Sequence, residues 1–125
     1  MDTRLVWASS GFTSTNIPGT DTAIGTGRQN TALILSVDAN APAAKACADY
    51  RGGGEDDWFL PSKDELDLMY RNLKANNFGG FQGSYFWSSS QDNNYNHLAW
   101  GQNSDNGNQG TNYKFSGSVR AVRAF

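Results

Sequence analysis

One cysteine, Cys47, and one histidine, His97, are all that this 125-residue chain has of either type. A lone cysteine excludes an internal disulfide and a cysteine-based zinc site. A lone histidine excludes a multi-histidine metal site, and any Ser-His-Asp triad would rest on His97 alone. Charge is scarce and nearly balanced, 10 Lys and Arg against 12 Asp and Glu for a net of −2, with a pI of about 5.1. The basic footprint of a nucleic-acid binder is missing, so no nucleic-acid partner is expected. No apolar run approaches the roughly 20 residues of a spanning helix, and no membrane insertion is expected. The opening MDTRLVWASS lacks the charged-then-apolar layout of a secretory leader. The chain thus shows no export signal, and its compartment stays open, with display on a cell surface or virion compatible.

Aromatic residues, by contrast, are plentiful. They make up 13% of the chain, with four Trp, five Tyr and seven Phe beside a hydrophobic fraction of 38% and a mean hydropathy of −0.61. Such aromatic content is foreign to disordered chains, and the length suits one domain, 1–125, with one core. RLVWA, residues 4 to 8, reads as a short strand, followed by a Gly/Thr/Ser/Pro loop to about Thr22. TGRQNTALILSV has Thr26 as a candidate N-cap and reads as a short, largely buried helix, with Ile34 and Val37 leaving a strand open. In NAPAAKACADY, Asn40 can cap, Pro42 suits a first helical turn and the Ala-rich body favours helix. The glycines of RGGGEDD end it.

The strongest local signal is LPSKDELDLMYRNLKANN, where Ser62 and Glu65 stand at capping-box spacing. Leu66, Met69, Tyr70 and Leu73 follow at i, i+3, i+4 and i+7, which predicts one apolar face on a helix ending near Asn76. From Tyr85 the text turns to strand and loop: YFWSSS, HLAWGQN, TNYKFS and SVRAVRAF, separated by Asn, Gly and Asp turns. The fold class is α+β, with helices in the first half and antiparallel strands in the second.

Candidate chemistry is thin. GTGRQN has neither the third glycine and leading strand of a dinucleotide fingerprint nor the Lys-Ser/Thr of a P-loop, and reads as the turn into a helix. The acidic EDD before Trp58 matches no EF-hand spacing and reads as a solvated turn. His97 lies in an Asn-rich loop without a nucleophile motif, and Cys47 in its Ala-rich helix reads as a small core residue. No catalytic residue, metal or cofactor is expected. What stands out is residues 90 to 118, SQDNNYNHLAWGQNSDNGNQGTNYKFSGS, rich in the Tyr, Ser, Gly and Asn that dominate antibody binding loops. A polar surface loop without a ligand is the plainer alternative on composition alone.

The ordered assembly DWFLPSKDELDLMY, YFWSSSQ, AWGQN, NGNQ and VRAVRAF, with AIGTGRQNTALI and ACADYRGGG before it, resembles the variable proteins of diversity-generating retroelements. Within these it is similar to the subgroup related to the C-terminal domain of collagen-like bacterial adhesins, from about Leu5 to Phe125. The resemblance implies a C-type lectin-like fold and a non-catalytic ligand-binding protein. It also implies surface loops diversified by a reverse transcriptase that errs at template adenines, so that Asn codons become variable positions. The variable region would run over about 92–118. Its ligand-binding positions would be Asp92, Asn94, Tyr95, Asn96, His97, Leu98, Gly101, Ser104, Asp105, Gly110, Thr111, Asn112, Tyr113, Phe115, Ser116, Gly117 and Ser118. The scaffold would include Trp87, Ser88 to Gln91, Ala99, Trp100, Gln102, Gly107, Gln109, Lys114 and the tail from Val119. Asn93, Asn103, Asn106 and Asn108 would be template codons left unchanged.

Randomising both adenines of an Asn codon cannot yield Lys, Glu, Gln, Met or Trp. Within 92–118 those types occur only as Trp100, Gln102, Gln109 and Lys114, all scaffold positions. The expected partner is a protein or glycan ligand on a cell surface, met by a monomer, with Tyr95, Tyr113 and Phe115 as anchors. The paired calcium ligands and Trp-Asn-Asp run of calcium-dependent lectins are missing, and so are the reactive cysteines of formylglycine-generating enzymes, which share related architecture. The alternative function is a fixed glycan- or matrix-binding adhesin domain. An enzyme dependent on His97 is a distant third.

Overall fold

Ser62 and Glu65 do form a capping box. The Ser62 N–H donates to Glu65 Oε1 at 2.8 Å and the Glu65 N–H donates to Ser62 Oγ at 3.3 Å, which closes the start of helix Lys63–Ala75. The computed structural model describes residues 4–75 and 85–123, and it gives the same carboxylate a second task. Glu65 Oε2 accepts from the N–H of Gly25 at 2.7 Å and of Gly27 at 3.3 Å, at the start of the earlier helix Gly27–Val37. One fully buried side chain thus satisfies backbone donors at two helix starts that would otherwise lack partners. Thr26 occupies the N-cap position as expected, but it makes no side-chain cap bond. Its hydroxyl donates back to Ala23 O. Gly27 is required by this arrangement: a Cβ there would collide with Glu65 Oε1 and lie 2.9 Å from Ser62 N.

The elements in chain order are β1 (Arg4–Val6), α1 (Gly27–Val37), α2 (Pro42–Asp49), a short 3-10 turn (Gly52–Gly54), α3 (Lys63–Ala75), β2 (Tyr85–Gln91), β3 (Leu98–Asn103), β4 (Gln109–Tyr113) and β5 (Ser116–Ser118). α2 begins at Pro42 with Ala41, not Asn40, at the N-cap. Proline at the first position has no N–H to satisfy, which lowers the need for a capping side chain. Ala43, Ala44 and Cys47 on α2 are fully buried and join Trp7, Ile34, Leu60, Trp87 and Val119 in the main core. Burial pushes the Cys47 thiol up to about 12, so it packs as a small apolar group. On α3, Leu66 and Met69 are buried against Phe86, with Tyr70 and Leu73 packed beside them, as the heptad spacing predicts. The stop near Asn76 lies outside the described residues.

The five strands form one sheet in the order β1-β5-β2-β3-β4. It is mixed, not wholly antiparallel: β2 meets β5 in parallel through Phe86 and Ser118, and the other neighbours are antiparallel. The expected closing strand SVRAVRAF is also displaced. The ladder is made by Ser116–Ser118 against Arg4–Val6, and after it Val122 forms only an isolated bridge with Phe59. The shift has a packing cause. A Cβ at Gly117 would lie 2.8 Å from Trp87 Nε1, so only a bare residue lets β5 lie here. Downstream, the Arg123 side chain pairs with Asp57 and Glu55, and its carbonyl accepts from the Arg28 guanidinium at 2.9 Å. Ala124 and Phe125 lie outside the described residues.

Glu65→Gln would turn one acceptor oxygen into a donor facing backbone N–H groups. It should destabilise the fold by about 2–3 kcal/mol, against about 1 kcal/mol for Ser62→Ala, as read from urea unfolding. A Glu65→Gln loss no larger than that of Ser62→Ala would show that the contacts to Gly25 and Gly27 add nothing.

Candidate functional site

Between β2 and β3 the chain turns on its own side chains. Asp92 Oδ1 accepts from the Asn94 N–H at 2.7 Å, the Leu98 N–H donates to Tyr95 O, and the Asp92 N–H to Leu98 O. The β3–β4 turn works the same way: Asn103 Oδ1 accepts from the N–H groups of Asp105 and Asn106, and Asn106 Oδ1 from that of Asn108. Much of the Asn and Asp in this stretch is therefore turn chemistry, side chains replacing backbone partners. Gly107 has φ +77° and sits where a Cβ would lie 2.6 Å from the Tyr70 ring.

These turns, with the pairing of Leu98 opposite Tyr113, bring four rings into one contiguous row. Tyr95 meets His97 edge-on at 5.9 Å between centroids. His97 stacks on Tyr113 at 5.5 Å, and Tyr113 on Phe115 at 5.8 Å, with interplanar angles of 30° and 24°. Tyr95, Tyr113 and Phe115 remain 56%, 55% and 60% exposed. They form a contiguous exposed aromatic patch on a small domain. A cavity of about 200 Å³ adjoins the row, walled by Thr13 and Ser14 on one side and by His97, Tyr113, Lys114 and Phe115 on the other.

Beneath the exposed row lies a set of buried polar anchors. Lys114 leaves the sheet between β4 and β5 and is 1% exposed. Its ammonium donates to Thr15 O at 3.1 Å and Gln91 Oε1 at 2.8 Å, and lies 4.7 Å from the Trp7 ring centre. Burial pulls the Lys114 amine down to about 8, with the Asp38 charge acting against that fall. Gln91 in turn accepts from the Ile17 N–H and donates to Asn16 Oδ1, so the loop that carries Thr13 and Ser14 is tied to the strands. Phe115 O accepts from both the Trp7 N–H at 3.2 Å and the Trp87 indole N–H at 3.0 Å. Gln102 is fully buried and donates to Asp67 Oδ1 and Gly107 O. Gln109 donates to Lys63 O, and the half-buried Trp100 ring lies 4.3 Å beneath the Lys63 ammonium.

The residues expected at the site divide by position. Asn94, Tyr95, Asn96, Asn112, Tyr113, Phe115 and Ser116 are exposed, and Asp92, His97, Leu98, Gly110 and Thr111 are half-buried. Asp105 is exposed but belongs to the β3–β4 turn, at the opposite end of that hairpin from the ring row. Gly101, Ser104, Gly117 and Ser118 are buried and take no part in the exposed face. A Cβ on Gly101 would lie 2.7 Å from Phe86 O and within the Tyr85 ring's contact distance. Tyr85 uses that space to reach Gly110 O, and burial pushes its phenol up to about 12. Thr13 and Ser14 were not read from the sequence as part of the site, since only the Lys114–Gln91 ties bring that distant loop here.

His97 makes ring contacts with Tyr95 and Tyr113 and, among the described residues, no hydrogen bond to a hydroxyl. Among the described residues no group of three His, Cys, Asp or Glu could hold a metal. The acidic turn is engaged elsewhere: Arg123 pairs with Asp57 at 2.6 Å and Glu55 at 3.1 Å, and its guanidinium holds the Asp57 carboxyl below its ordinary range.

The family model that matches, over residues 1–123, is that of the Lcl C-terminal domain. This chain belongs to the Lcl C-terminal domain family. That family is not a known family of enzymes, and its model spans both the helical half and the ring-bearing strands. No curated protein matches the chain.

Between about pH 8 and the ordinary lysine value of 10.5, an unfolded chain keeps the Lys114 proton that the folded chain has lost. Lys114 should therefore make stability rise with pH across that window. Tyr85 opposes this only above its ordinary value of 10.0. Urea midpoints at pH 8 and 9.5 should rise for the parent protein relative to Lys114→Met. Identical pH dependence in the two would show that Lys114 titrates as it does in water.

Proposed function

We propose that this domain is a non-catalytic recognition module whose ligand, a protein or glycan, docks on the rings of Tyr95, His97, Tyr113 and Phe115. The cavity beside Thr13 and Ser14 takes a projecting group of that ligand. The observation that carries this reading is the combination of exposed, mutually stacked rings above a backbone held from its buried side. Rigid aromatic anchors flanked by adaptable Asn and Ser side chains are the composition of binding surfaces. We read the fold as C-type lectin-like, a reading supported by the pairing of β1 with β5, near opposite ends of the chain, across a sheet backed by helices.

Diversification of this face by a retroelement is the finer part of the proposal. Its support is the separation of duties: Gln102 and Lys114, which adenine mutagenesis of Asn codons cannot produce, are buried anchors, while Tyr95, Asn96, Asn112, Tyr113 and Phe115 are exposed. A fixed adhesin site is the second reading, favoured by Gly101 and Gly117, where side chains other than hydrogen meet Phe86 O or Trp87. Sequencing the surrounding locus separates the two. A near-copy of the codons for residues 85 to 125, differing at adenines and lying beside a reverse transcriptase gene, supports diversification. A locus without one supports the fixed site.

Against any ligand selected on glycan or protein arrays, Tyr113→Ala with Phe115→Ala should weaken binding by at least about thirtyfold. Urea stability should change by no more than about 1 kcal/mol. Retained binding would sink the proposed face, and unfolding would make these rings part of the core.

A further inference from the structure

A second cavity, of about 470 Å³, shares no lining residue with the ring-bearing face. Its walls are formed by Trp58, Met69, Leu73 and Val122, among others, and they are fixed by neighbouring structure. The Trp58 indole donates to Gly52 O at 3.1 Å and meets Tyr50 edge-on at 4.9 Å. Val122 is pinned by two backbone hydrogen bonds to Phe59, at 2.8 and 2.9 Å. Met69 and Leu73 lie on the inward face of α3. A preformed, mostly apolar cavity of this volume is within the range of small-molecule sites.

Its charge is of one sign. Arg120 is the single charged residue lining the cavity, and among the described residues it makes no hydrogen bond or ion pair. The contrast with Arg123 is direct, since that guanidinium is engaged by both Asp57 and Glu55. Those two acids are committed to Arg123, and Arg120 keeps a planar fork of donors at the edge of apolar walls. A guanidinium matches a carboxylate in shape and charge, with two parallel N–H···O bonds. A cation would be repelled, and a neutral molecule would leave the fork in water.

We propose that this cavity binds a small amphipathic carboxylic acid, with its apolar body against Trp58, Met69 and Leu73 and its carboxylate on Arg120. The site is independent of the recognition face proposed above.

The test is titration of the isotopically labelled chain with octanoate, using octanol and octylamine as matched controls, followed by NMR. Octanoate should shift the Trp58 indole N–H and the Met69 methyl, and bind at least about tenfold more tightly than octanol. Arg120→Gln should bring octanoate to the octanol level, and Arg120→Lys should fall between, keeping the charge without the fork. Tyr113→Ala should leave octanoate binding unchanged, so failure of the recognition face and failure of this site are distinguishable. Equal affinity for octanoate and octanol in the parent protein would overturn the proposal without recourse to a variant. So would the absence of shifts at Trp58 and Met69, or tight octanoate binding that survives Arg120→Gln.

Discussion

The carboxylate of Glu65 is the constraint on which the helical half depends. A helix start leaves donors pointing into space, and here two starts converge on one buried acceptor pair. Gly25, Gly27 and Ser62 each donate to it, so moving α1 away from α3 would break both glycine bonds and leave the buried Gly27 N–H without its acceptor. The same junction explains why α1 opens on a glycine: the carboxylate occupies the volume a side chain would need. Ser62 adds a further tie by donating to Ala23 O, which joins the loop before α1 to the capping box.

The strand half is held by a different device. Its loops have few apolar side chains to bury, so their order comes from buried polar groups that reach backbone oxygens. Lys114 reaches Thr15 O, Gln102 reaches Gly107 O and Gln109 reaches Lys63 O. These bonds take nothing from the outward faces of the exposed rings. The arrangement has a vulnerability, because removing one partner of a buried polar pair leaves the other unsatisfied. Ser89 already shows how such a group looks: its hydroxyl is buried and has no hydrogen-bond partner among the described residues.

What could be read from the sequence was what depends on neighbours within a turn or two. The Ser62/Glu65 box and the Leu66, Met69, Tyr70, Leu73 stripe are local, and both appear. The second duty of Glu65 was invisible because its partners lie in another helix. The closing strand was misplaced for a related reason: apolar Val119, Ala121 and Val122 read as ladder, but the ladder needed the bareness of Gly117 beneath Trp87. At the candidate site, composition singled out Tyr95, Tyr113 and Phe115, and the resemblance put them on an outward face, where they are exposed. The burial of Gly101 and Ser104 does not, since it depends on how β3 lies against its neighbours. Lysine is ordinarily a surface residue, and only the resemblance placed Lys114 in the scaffold. Thr13 and Ser14 had no local signal at all.

The carbonyl of Phe115, gripped by the Trp7 amide and the Trp87 indole, has an entropic consequence. With that backbone atom fixed, the Phe115 ring keeps little freedom beyond rotation about its own side-chain bonds, and its stacking on Tyr113 narrows that further. Ordering a flexible side chain on association costs about 0.5–1.5 kcal/mol, and here much of that ordering precedes contact. A partner would meet a surface already close to its bound shape, so selectivity would come from misfit as much as from attraction.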